Sequence, residues 1–162
     1  MPRKFETQLI EDFERAFGRD AAWKRSRELM IDYFSNLQTE MVFPEVAARG
    51  LEAAVRYHRG EVFLEAVMKV RLEAWYVLKE QNAVGNQTTP EQHLIQALSY
   101  LLDDAPGRPG EALEDSADVI LNLWADAHGL DSNPDRIADL VKKYFSVGMH
   151  CQSWTGEAPV AT

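Results

Sequence analysis

The sequence predicts an all-α, single-domain bundle of six or seven helices. Three observations predict it. Apolar residues recur at three- and four-residue spacing over most of the 162 positions, Pro, Gly and Thr interrupt that pattern at helix-length intervals, and no stretch alternates long enough to make a strand. A chain of this length buries roughly 70% of its unfolded surface, so one core suffices.

Each element follows from local chemistry. Phe5, Leu9, Phe13 and Phe17 form an apolar stripe, with Gly18 as its stop and Asp20 as the N-cap of a second helix. There Trp23, Met30, Phe34 and Leu37 share a face with Ser26 and Arg27, broadened by Leu29 and Tyr33. Residues 38–43 read as a loop. Pro44 suits the first turn of a third helix, which turns Ala47, Leu51, Ala54 and His58 inward, carries Glu45–Arg49 and Glu52–Arg56 pairs and stops at Gly60. Residues 61–81 form the longest helix. Val62, Phe63, Val67, Val70, Ala74, Val77 and Leu78 make it apolar over more than half its circumference, which predicts a central position and makes Arg71–Trp75 an internal stacked pair.

After a loop at 82–88, Thr89-Pro90-Glu91-Gln92 spells a capping box, and Leu94, Ile95, Leu98, Leu101 and Leu102 supply the fifth helix's inner face. Residues 103–110, with two prolines and two glycines, cannot be helical. A sixth helix spans 111–128 and stops at Gly129. Ser132 or Asn133 caps a seventh, with Pro134 in its first turn and Ile137, Leu140, Val141, Tyr144 and Phe145 inside. The domain is thus residues 1–147, followed by a loose tail, 148–162, from which Trp154 can dock.

Composition narrows function. The net charge is −9, which argues against nucleic acid or an anionic membrane as a direct partner. No apolar run approaches the ~20 residues of a membrane span, no signal peptide is recognisable, and Cys151 is the single cysteine, so the expected location is a reducing cytoplasm. The charge is uneven. Residues 1–81 carry 13 Lys+Arg against 14 Asp+Glu, whereas residues 82–162 carry 4 against 12. Such a field speeds encounter with a basic partner and repels anions.

The sixth helix concentrates that charge. Glu111, Glu114, Asp115, Asp118, Asn122 and Asp126 fall on one side, and Leu113, Ala117, Ile120 and Trp124 opposite. With Asp103 and Asp104 before them, these carboxylates form the candidate partner-binding set, and Trp154 is a candidate aromatic anchor beside them. The four histidines have no helical pairing, Cys151 has no identifiable triad partner, and no glycine-rich phosphate loop, His-Glu-x-x-His or nucleophile elbow occurs. The reading therefore assigns no catalytic residue, no metal and no cofactor.

Two resemblances attach to these patterns. Gly50-Leu-Glu-Ala-Ala-Val-Arg-Tyr-His-Arg-Gly60-Glu, then Val70-Arg71-Leu-Glu-Ala-Trp75 and Ile95-Gln96-Ala97-Leu98, resembles all-α immunity proteins of bacterial polymorphic and contact-dependent toxin systems. That resemblance implies a small acidic inhibitor of one cognate toxin domain. Asp115-Ser-Ala-Asp118-Val-Ile, ending in Gly129-Leu130-Asp131, resembles the second metal helix of the all-α nucleotide pyrophosphatases related to MazG. It implies magnesium-dependent hydrolysis, although the helix before it offers only Glu91, and Asp115 stands where that family has glutamate. A third reading is a bundle that forms a homodimer through an apolar face.

Overall fold

A computed structural model describes residues 4–102 and 116–146. It contains α1 (Lys4–Phe17), α2 (Arg19–Glu40), α3 (Glu45–His58), α4 (Leu64–Glu80), α5 (Pro90–Leu101), α6 (Ser116–Ala127) and α7 (Arg136–Phe145). Among the described residues there is no strand, and the molecule is an all-α bundle. The predicted loop at 103–110, the beginning of the sixth helix at 111–115 and the tail at 148–162 lie outside the described residues.

The helix ends show which local signals govern. Gly18, at φ 93, is the single residue between α1 and α2 and serves as the N-cap. Asp20 instead sits in the first turn, where its charge suits the helix dipole. α2 continues through Glu40 into the expected loop, because Pro44, not local polarity, is what forbids further helix. α3 ends in a Schellman turn: Gly60 N–H donates to the Tyr57 carbonyl and Glu61 N–H to that of Arg56, with Gly60 at φ 74. α4 closes the same way with Asn82 at φ 54 in the left-handed position. α5 begins on the predicted box, the Gln92 amide donating to Thr89 Oγ1 at 3.2 Å and the Thr89 amide to Gln92 Oε1 at 3.3 Å. α7 starts later than expected. Asp131 accepts from the Asn133 amide (2.9 Å), and Pro134 lies in the turn before Arg136.

The core centres on α2, which packs against α1, α3, α5, α6 and α7. Leu29, Met30, Tyr33 and Phe34 are sealed there together with Leu123 and Trp124 of α6 and Phe145 of α7. Two hydroxyls that α2 buries find partners. Ser26 Oγ donates to the Ala22 carbonyl, and Tyr33 Oη donates to Asp131.

α4, expected to be the longest helix and to lie at the centre, has 17 residues against 22 in α2 and lies at the edge against α3 and α5. It turns Val67, Val70, Ala74 and Leu78 inward and leaves Leu72, Trp75 and Tyr76 in solvent. The predicted α1 stripe also holds only in its middle. Glu6, Ile10 and Phe13 face inward, while Phe5 and Phe17 are exposed. A four-residue step overshoots one turn by about 40°, so the stripe's ends point some 120° apart and cannot share one wall.

Candidate functional site

Of the predicted partner-binding residues, Asp103, Asp104, Glu111, Glu114, Asp115 and Trp154 lie outside the described residues. Asp118 stands exposed in the first turn of α6, where its charge also suits the helix dipole. Asp126 does not belong to this face. It is 6% exposed, because positions 118, 122 and 126 advance about 40° per step and the third rotates against α5. Beside Asp118's helix, the acids Glu11 and Glu14 of α1 line a groove of about 360 Å³ with Arg15, Arg19 and Ala117. The amino terminus of α6 thus opens onto an edge where α1 and the start of α2 set two carboxylates beside two guanidinium groups.

The buried carboxylates tie elements together. Asp126 accepts from His93 Nδ1 at 3.0 Å and from Tyr100 Oη at 2.8 Å, joining α6 to α5. The other face of the imidazole rests on Gly129, where a Cβ would stand 2.3 Å from His93 Nε2. Asp131 accepts from Tyr33 Oη (2.9 Å), from the Asn133 amide and from Arg136 Nη2 (3.0 Å). Arg136 in turn grips Glu40 with both terminal nitrogens, at 2.9 and 3.0 Å. Burial, together with the Asp131 charge, raises the Tyr33 hydroxyl above the usual phenol range, so it remains a donor. Hydrogen bonds to Glu40 outweigh partial burial and raise Arg136 further.

Among the described residues no three His, Cys, Asp or Glu side chains converge into a group that could hold a metal. In the stretch resembling a pyrophosphatase metal helix, Asp118 is exposed.

The structure also exposes a feature the sequence reading placed inside. Trp75 is 43% and Leu72 55% exposed, with Tyr76 beside them. Trp75 meets Tyr76 edge-on at 5.2 Å, and Lys79 Nζ sits 5.0 Å over the indole. Trp75 also forms one wall of a groove of about 410 Å³ between α4 and α5, with Arg71, Val84, Gln96 and Tyr100. The one clue in sequence was that Leu72 and Tyr76 are four apart on the side opposite Val70, Ala74 and Leu78. No helix among the described residues is long and apolar enough to cross a membrane. No protein-family model matches the chain, and no curated protein or solved structure is significantly similar to it.

Proposed function

We propose that this chain acts by binding, as an immunity protein that neutralises a cognate bacterial toxin domain through its acidic carboxy-terminal half. The observation that carries this reading is the charge asymmetry: residues 82–162 hold 12 acids against 4 bases, whereas the first half is nearly neutral. The resemblance over residues 50–75 supports the same reading. With Asp126 engaged internally, the proposed partner-facing set is Asp103, Asp104, Glu111, Glu114, Asp115 and Asp118, with Trp154 as the aromatic anchor. A toxin that acts on nucleic acid or nucleotides carries a basic, phosphate-tuned cleft. An acidic helix laid across it gains on-rate from steering and blocks substrate by occupancy.

The test is co-expression with the adjacent open reading frame. The neighbour expressed alone is expected to arrest growth, and this chain to restore it. Raising salt from about 50 to about 500 mM should slow association by roughly tenfold or more, since exposed charges are screened within a few ångströms at high salt. Reversal of Glu111, Glu114 and Asp118 to lysine should weaken binding, whereas Asp126→Asn, inside the fold, should leave it unchanged. A harmless neighbour, failed rescue, or binding indifferent to salt and charge reversal would sink the proposal.

A further inference from the structure

The outer face of α4 is self-complementary, and we infer that it is the two-fold interface of a homodimer in which α4 packs antiparallel on its own copy. Leu72 lies at the middle of the helix and of its exposed face. Consider a two-fold axis through Leu72, perpendicular to the helix. Residues that share a flank and stand equally far to either side of Leu72 then meet across the axis. Leu72 meets Leu72. On one flank Met68, four residues before, meets Trp75, three after. On the other flank Lys69 meets Tyr76 at the same offsets, placing an ammonium against a phenol face. Glu65 and Lys79, seven residues to either side and close to the midline, form an ion pair twice over. No like charges fall opposite each other among these pairs, and each apolar side chain finds an apolar or aromatic partner.

Two observations beyond exposure favour a second copy over an unrelated occupant. Glu65 and Lys79, opposite in sign, stand seven residues to either side of Leu72, a symmetry that an unrelated ligand would not require. Trp75 is also held in place within the monomer, by Lys79 above it and Tyr76 at its edge, so little side-chain freedom is lost on docking. The face lies on the edge helix, clear of α1 and α6, so the dimer leaves the acidic surface open. A helix of 17 residues is about 25 Å long, and one such crossing sits near the roughly 1,000 Å² threshold of specific interfaces, which fits a micromolar dimer.

The experiment is sedimentation of the full chain from about 1 to about 200 μM, a range that brackets micromolar dissociation. A concentration-dependent dimer is expected. Leu72→Glu, at an exposed position that leaves the melting curve intact, should render it monomeric throughout. Glu65→Lys and Lys79→Glu should each weaken dimerisation about tenfold by making two repulsive contacts, and the doubly reversed chain should recover to within about threefold. A monomer at all concentrations would overturn the inference. So would a dimer indifferent to Leu72→Glu, or a double reversal that fails to recover. None of these outcomes depends on the identity of a toxin.

Discussion

Glu6 is the residue whose burial is least compensated. It faces inward from α1 at 1% exposure, and among the described residues neither carboxylate oxygen has a hydrogen-bond partner, while Lys142 Nζ stands 3.9 Å away. Removing a carboxylate from water costs several kcal/mol, and a single long ion pair does not repay it. Glu6→Leu is therefore expected to raise unfolding free energy by about 1–3 kcal/mol, measured by urea titration. A loss of stability would show that Glu6 holds Lys142 to better effect than its geometry indicates. Asp126 and Asp131 represent the opposite case, each accepting at least two hydrogen bonds from other elements. Neither set could be read from sequence. A carboxylate at a helical position looks the same whether it meets water or a tyrosine thirty or a hundred residues away, and Asp126 was misplaced on the outer face for that reason.

Local signals fare better for whole elements. Thr89-Pro90-Glu91-Gln92 forms the box its spelling predicts because all four residues act on one turn. Gly60 likewise ends α3 through its own backbone freedom. The exchange of roles between α2 and α4 was not legible. Apolar content ranks α4 higher, yet placement depends on which helix can satisfy its polar groups inside, and for Tyr33 of α2 the partner, Asp131, is distant in sequence. The α5–α6 seam offers a test of such tertiary constraint. Because a methyl group at Gly129 would collide with the His93 ring, Gly129→Ala should cost about 2–3 kcal/mol, in line with overpacked sites. In a His93→Ala background most of that penalty should vanish, as read by a double-mutant cycle on thermal melts. An undiminished penalty would place the strain in the Gly129 backbone instead.

Two partly buried groups of opposite charge type contribute to the acid sensitivity of the molecule as a whole. Burial alone would raise Asp32, but hydrogen bonds from Lys143, Tyr144 and Asn36, with the Lys143 charge, outweigh it and hold the carboxyl below its ordinary range. A depressed carboxylate contributes stability that is fully present above its unfolded value, about 4, and is lost as pH falls through the lower folded one. His58 is exposed at the end of α3, one step past the inward face that the sequence predicts for it, and partial burial of its ring lowers it, with the Lys24 and Arg27 charges adding to that effect against Glu28. The fold thus prefers neutral imidazole, and the corresponding contribution is present above about pH 6.5 and declines below it. The melting midpoint is expected to be level near neutrality, to dip slightly below about pH 6.5 and to fall again below about pH 4. His58→Gln should remove the upper dip and Asp32→Asn should blunt the lower fall, both observable by calorimetry across buffers. A single transition unaffected by either substitution would refute the assignment.

Gly18 leaves no slack where the chain reverses into α2. With one residue at the joint, α1 cannot slide along its neighbour or shift register; its freedom is a swing about a single pair of backbone torsions. Ile10 and Phe13 must then leave the bundle together, and the departing arm would uncover the ring of Phe145, which Phe13 meets edge-on at 5.3 Å. Displacement of α1 as a rigid rod is consequently a pivot about Gly18.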